Sequence, residues 1–168
     1  MTRKFAYVLE FKYPAIQAFR DGHDAHSDPG SAHYVDLGPH VTLAMGFLEP
    51  GIPDIPPGSS AGPSRKHLLL TLETSAVVEG DIAYLPVNAD SQVCEEMRDL
   101  LRASDPPGKS GRFHCTLAWP ASSKKCAGVD AVRELVRGLE RRHGARFTVV
   151  ATVRWLEKGE NRWVLTDR

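Results

Sequence analysis

Residues 39–44 have the sequence PHVTLA, and residues 113–118 have the sequence FHCTLA. Both segments contain histidine, an apolar residue, threonine, leucine and alanine in the same order. A lone His-x-Thr is expected by chance in roughly one of three chains of this composition, but two copies that both continue into Leu-Ala are far rarer. The repeat is therefore the feature from which fold and function are predicted.

Both segments lie in apolar stretches that are typical of β-strands. Side chains alternate between the two faces of a strand, so His40 and Thr42 are expected on one face and residues 41, 43, 45 and 47 in a core. The second strand is expected to place the corresponding set on one face: Arg112, His114, Thr116 and Ala118. Small neighbours on this face would leave an open groove.

The remaining chain alternates strand patterns with helix patterns. The clearest helix is an apolar stripe over residues 130–143, which Gly144 can end. Further strands are predicted at 5–11, 67–74, 82–87, 146–155 and 162–166, and further helices at 14–21 and 90–104. Loops are predicted at 22–36, 49–65 and 105–111, and the loop at 49–65 is rich in proline and glycine. Interleaved strands and helices predict a single α+β domain over residues 1–168.

The composition is that of an ordinary globular protein, with 42% apolar and 25% charged residues. Because 21 basic residues balance 21 acidic ones, the chain is not expected to hold long nucleic acid by bulk charge. Residues 1–100 carry 7 basic and 14 acidic side chains, and residues 101–168 carry 14 and 7, so the C-terminal part could attract a small anion. Three scattered cysteines, with no visible secretory signal or membrane span, predict a cytoplasmic protein.

Two imidazoles and two hydroxyls that face one groove suit the chemistry of a phosphodiester. Displacement at phosphorus needs a base for the nucleophile and an acid for the leaving oxygen, and histidine can be either because its pKa lies near neutrality. Threonine hydroxyls can donate hydrogen bonds to the non-bridging oxygens. His40 and His114 are therefore the predicted catalytic residues, with Thr42 and Thr116 binding the substrate. No metal or other cofactor is expected, because neither motif supplies a third ligand at metal-binding spacing.

The paired motifs resemble those of the 2H phosphoesterase superfamily, which includes RNA 2′,3′-cyclic phosphodiesterases, also called 2′-5′ RNA ligase-like proteins. The resemblance implies a bilobal fold: two pseudo-symmetric lobes of antiparallel strands, with helices on the outside and a central cleft. It maps the family's catalytic histidines onto His40 and His114, and its phosphate-binding hydroxyls onto Thr42 and Thr116. The implied activity is metal-independent hydrolysis of nucleotide or RNA 2′,3′-cyclic phosphates, and we expect a monomer that contacts no membrane.

Three alternatives stay open. The chain could cleave 2′-5′ or 3′-5′ linkages of linear or cyclic oligonucleotides, or it could bind nucleotides without turning them over. It could also be a zinc protein, since the predicted loop at 22–36 contains His23, His26 and His33, although a solvated loop is the simpler interpretation.

Two further residues are predicted to contact the substrate. Arg112 stands two residues before His114 and could bind a phosphate. Trp155 lies near a predicted strand end, where its ring could stack on a base.

Overall fold

The structure, a computed structural model, describes residues 3–48, 67–79, 82–92, 113–119, 129–160 and 163–166. Within these ranges the chain forms eight strands and two α-helices. The strands are β1 (Arg3–Glu10), β2 (His40–Leu48), β3 (His67–Glu73), β4 (Val77–Glu79), β5 (Ile82–Pro86), β6 (His114–Ala118), β7 (Arg146–Lys158) and β8 (Trp163–Thr166). The helices are α1 (Pro14–His23) and α2 (Val129–His143), and a 3₁₀ turn covers Ala25–Ser27.

The strands form one antiparallel sheet in the order β3-β7-β1-β2-β6-β5-β4, with β8 added to β7. The sheet curls into a half-barrel, because β3 also meets the chain that follows β5. Leu72 forms a bridge with Val87, and the Asn88 amide donates to the Thr71 carbonyl at 2.7 Å. The result is an α+β fold in which β2 and β6 lie side by side at the centre.

One face of the sheet carries the main core, which both helices cover. Alternate residues of the strands are fully buried there, such as Leu70 on β3 and Leu85 on β5. Ile16 from α1 and Leu139 from α2 pack into the same cluster. Each such side chain stabilises the fold by about 1.5–3 kcal/mol relative to exposure. The chain leaves α2 through Gly144, whose φ of 77° is favourable for glycine.

A second, smaller apolar cluster lies on the opposite face of the sheet. Val35 and Leu37 come from the segment between the 3₁₀ turn and β2, and they cover Ala6 and Val8 of β1. The sequence predicts a polar loop at 22–36, but the end of this segment packs on β1, because its few apolar side chains are buried there against the apolar side chains of that strand. It thereby borders the face on which His40 begins β2.

Most predicted elements are confirmed within one to three residues. The helices at 14–21 and 130–143, the strands at 40–48, 67–74 and 82–87, and the closing hairpin of β7 and β8 are all present. Strand β4 was not predicted, since three residues give no usable period. The predicted loops at 49–65 and 105–111, and residues 93–104 of the predicted helix, lie outside the described residues. None of the helices in the described ranges has the length and apolar character needed to cross a membrane.

Candidate active site

The two motif strands are neighbours in the sheet. β2 and β6 pair antiparallel, with Val41 opposite Cys115, and both of these side chains are fully buried in the main core. In an antiparallel ladder, the residues before and after a paired residue are also opposite each other, and their side chains project from the other face of the sheet. His40 therefore lies beside Thr116, and Thr42 lies beside His114, on the face that the main core leaves free.

The first motif contains a β-bulge directly after its threonine. Thr42 pairs with Val8 of β1, but the next pair joins Ala44 to Tyr7, so Leu43 has no partner of its own in the ladder. A bulge of this kind adds one residue to one strand and interrupts the alternation of faces.

The second motif contains the same bulge at the same position. Thr116 pairs with Tyr84 of β5, and the next pair joins Ala118 to Ala83, so Leu117 is skipped. Ala118 is consequently fully buried beside Ala83 in the core. The prediction that Ala118 shares a face with His114 is therefore wrong, because strict alternation does not continue through a bulge.

The His40 ring is oriented by a hydrogen bond to the backbone. Its Nδ1 lies 2.9 Å from the Gly38 carbonyl oxygen, which can only accept. Nδ1 therefore carries the proton in the neutral ring, and Nε2 is left with a free lone pair. Burial, followed by the nearby charge of Arg20, lowers the pKa of His40 to about 4. At neutral pH this imidazole is uncharged and can act as a base.

This lowered pKa predicts that acid destabilises the protein through His40. The unfolded chain takes up a proton on this residue near pH 6.5, but the folded protein does so only near pH 4, so stability is lost as the pH falls between these values. The difference corresponds to at most about 3 kcal/mol. Urea unfolding should show that wild type loses more stability over this range than His40→Gln, in which this titration is absent. Equal losses in the two proteins would contradict the prediction.

The second histidine has a different environment. His114 is exposed, and its ring lies 4.7 Å from the ring of Tyr84, at an angle of 46°. Tyr84 is paired with Thr116 and so belongs to the same face as both motifs. Tyr84 is not among the site residues predicted from the sequence. The alternation of Ala83 and Leu85 could have indicated that it points away from the core, but only the strand order places it next to His114.

A buried polar cluster stands behind His40. Arg20 of α1 is 1% exposed and donates from Nε to Asp24 Oδ2 at 3.1 Å, while Asp24 itself is completely buried. The other oxygen of Asp24 accepts from the His26 amide at 3.0 Å and lies 2.9 Å from His26 Nδ1. Burial opposes ionisation of Asp24, but the hydrogen bond from His26 and the charges of His26 and Arg20 outweigh it and hold the pKa of Asp24 below its usual value. Charge and hydrogen bonds thus keep this carboxylate ionised inside the protein.

The three histidines of the zinc alternative all take part in aromatic contacts. His23 packs against Phe19 with ring centroids 4.4 Å apart. His26 stacks on Trp119 at 4.6 Å, and His33 meets the same indole edge-on at 4.9 Å. In the part of the chain that the structure describes, no group of three or more histidine, cysteine, aspartate or glutamate side chains is placed to hold a metal.

Two other residues with a sequence prediction, Trp155 and Cys115, lie away from this patch. Trp155 is 6% exposed and alternates along β7 with the partly exposed Arg154, so it lies on the face opposite to the motif side chains. Arg112 lies outside the described residues. Cys115, although between His114 and Thr116 in sequence, points into the core, and burial raises the pKa of its thiol to about 12. The pairing therefore collects two histidines, two threonines and one tyrosine on a single patch.

A comparison with protein-family models and with curated proteins finds no match to this sequence.

Proposed function

We propose that this protein is a metal-independent phosphodiesterase that hydrolyses nucleotide or RNA 2′,3′-cyclic phosphates by two-histidine acid–base catalysis. The observation that carries the proposal is the pairing of Val41 with Cys115, because it turns two separate sequence motifs into one patch of side chains. The resemblance of the motifs to those of 2H phosphoesterases supports the same conclusion.

The spacing of the patch suits a phosphate. His40 and His114 are diagonal neighbours on adjacent strands, and such residues are about 7–8 Å apart, with their Cβ atoms somewhat closer. Two imidazoles on such positions can reach opposite sides of one phosphate, each through a hydrogen bond of about 3 Å. Thr42 and Thr116 occupy the other diagonal and can donate to the non-bridging oxygens.

The proposed reaction gives the two histidines different roles. Nε2 of neutral His40 accepts a proton from water as the water oxygen bonds to phosphorus. Protonated His114 donates its proton to the 3′-oxygen as the bond between that oxygen and phosphorus breaks. The product carries a 2′-phosphate, and exchange of protons with solvent restores both histidines. The threonine hydroxyls stabilise the negative charge that develops on the phosphoryl oxygens.

The proposal includes a two-lobed, pseudo-symmetric architecture. It is supported by the equivalent pairing of β1 with β2 and of β5 with β6, which share the bulge after the threonine. The proposed substrate is a single nucleotide or an RNA end, in keeping with the balanced charge of the chain. We place the protein in the cytoplasm as a monomer. The free thiol of buried Cys115 is in keeping with that compartment, where thiols stay reduced.

A substrate panel tests the proposal. The purified protein is incubated with 2′,3′-cyclic nucleotides, 2′-5′ oligoadenylate and cyclic dinucleotides, with and without EDTA, and the position of the product phosphate is determined. We expect 2′-phosphate from the cyclic nucleotides, at a rate that EDTA leaves unchanged. Cleavage of the oligonucleotides alone would assign the other substrate class. Binding without turnover, or activity that EDTA abolishes and zinc restores, would refute the proposed reaction.

A further inference from the structure

A carboxylate reaches the backbone group that orients His40. Glu10, the last residue of β1, is paired with His40 across the sheet. Its Oε2 accepts a hydrogen bond from the Gly38 amide at 2.7 Å. The carbonyl of the same glycine accepts the proton on Nδ1 of His40 at 2.9 Å. One residue thus connects the Glu10 carboxylate to the His40 ring.

Neighbouring groups hold both ends of this connection. Arg154 of β7 lies with its Nε 3.8 Å from the second oxygen of Glu10, and both side chains are partly exposed. The Phe11 amide donates to the Pro39 carbonyl at 2.9 Å, which fixes the chain directly after Gly38. An amide that bonds to a charged acceptor is held more strongly than one bonded to a neutral group, so the Glu10 contact holds the peptide before the Cα of Gly38. The Phe11 contact holds the chain after it, and the Gly38 carbonyl between the two contacts has a defined direction.

The second motif has no such carboxylate at the equivalent position. His114 is paired with Pro86, just as His40 is paired with Glu10. Proline provides neither a charged side chain nor an amide proton. The two halves of the patch therefore agree in register but differ in the residue that stands beside each histidine.

We propose that Glu10 is a positioning residue for the reaction: through the backbone of Gly38 it holds His40 in the tautomer whose Nε2 accepts the proton of the nucleophile. This inference rests on the proposed function for its catalytic consequence. Its structural content, the tautomer of His40, does not depend on any substrate. The inference assigns His40 the role of the base in the proposed reaction, and the role of the acid then belongs to His114.

Several other charged groups face His40 and have to be kept constant in a test. Arg20 and Asp24 approach from α1 and the residue after it, and His26 approaches from the 3₁₀ turn. On the neighbouring strand, His114 stands diagonal to His40. The Gly38 amide bonds to Glu10 and the Gly38 carbonyl bonds to His40, so a substitution of Glu10 changes the positioning contact and keeps the identity of these other groups.

Two substitutions of Glu10 separate positioning from charge. Glu10→Gln keeps an oxygen that can accept from the Gly38 amide, whereas Glu10→Ala removes it. Asp36→Asn is the matched control, since it removes a negative charge two residues before Gly38. The Asp36 carboxylate accepts a hydrogen bond from the Tyr34 hydroxyl at 3.3 Å, whereas the Glu10 carboxylate accepts from the Gly38 amide. The ¹⁵N chemical shifts of the His40 ring report which nitrogen carries the proton, and kcat and KM are measured on the best substrate of the panel.

In Glu10→Ala we expect His40 to populate the Nε2–H tautomer, with kcat lower by roughly 10–100-fold and KM nearly unchanged. Glu10→Gln and Asp36→Asn should keep the wild-type tautomer and most of kcat. The inference is overturned if Glu10→Ala retains the Nδ1–H tautomer, or if Glu10→Gln loses as much as Glu10→Ala while remaining folded. If the wild type turns over no substrate, the proposed function fails, and the ¹⁵N shifts still decide the positioning role.

Discussion

Replacing either His40 or His114 with alanine is expected to lower kcat by about 10²–10⁴-fold, the usual contribution of a general base or a general acid. Each variant removes one of the two proton transfers that displacement at phosphorus requires. The proteins should remain folded, because both side chains lie on the face of β2 and β6 that the main core leaves free. The measurement is steady-state hydrolysis of a 2′,3′-cyclic nucleotide, with circular dichroism as the check on folding.

Further variants test whether the two histidines act together in one mechanism. The double variant should be little worse than either single one, because the histidines act as a unit. Thr42→Ala and Thr116→Ala should each cost less, roughly 10–10³-fold, because the phosphate keeps its other donors. The acidic limb of kcat/KM should lie near pH 4, where His40 becomes protonated. Full activity of His40→Ala on the best substrate would disprove the two-histidine mechanism.

The second large effect concerns stability. Asp24→Ala is expected to destabilise the fold by about 3–5 kcal/mol, because it leaves the Arg20 guanidinium buried without its counter-charge. The same change also removes the acceptor of two hydrogen bonds from His26. Unfolding in urea measures the effect. Asp21→Ala, on the exposed side of the same helix, should cost less than about 1 kcal/mol.

A double variant tests whether the lost pairing is the cause. Replacing both buried partners with apolar residues, as in Arg20→Met with Asp24→Leu, should cost less than Asp24→Ala alone, since no unpaired charge then remains in the interior. If Asp24→Ala unfolded at the same urea concentration as wild type, the buried ion pair would be irrelevant to stability.

Much of the fold could be predicted from local patterns. The apolar stripe of α2 and the alternation in β2 and β6 depend only on residues close together in sequence, so these elements are evident without a structure, as are the inward faces of the strands up to their bulges. The repeat of histidine and threonine likewise predicts which side chains stand together on each strand. The pairing of β2 with β6 brings the two motif strands side by side, as a shared groove requires.

The features that escaped prediction depend on contacts between distant segments. A bulge after Thr42 or Thr116 exists only relative to the partner strand, so alternation within one strand cannot reveal it. Tyr84 becomes part of the patch only through the strand order. The segment around Asp24 has a polar sequence and was predicted to be a loop, yet Arg20 from the preceding helix lets that carboxylate be buried. Trp155 is predicted from the sequence to offer a stacking surface, but its side chain is buried in the structure, because the register of β7 determines the face on which it lies.

The unlike neighbours of the two histidines have a consequence for regiochemistry. Two equivalent half-sites would accept a cyclic phosphate in either of two opposite orientations, and hydrolysis would then release a mixture of 2′- and 3′-monophosphates. Glu10 beside His40 and Pro86 beside His114 make the half-sites inequivalent, although their hydrogen-bond ladders match. In the proposed reaction, one orientation would place water at His40 and the ester oxygen at His114, and the reversed orientation would not. We therefore expect hydrolysis to release one product isomer, because Glu10 stands beside His40 whereas Pro86 stands beside His114.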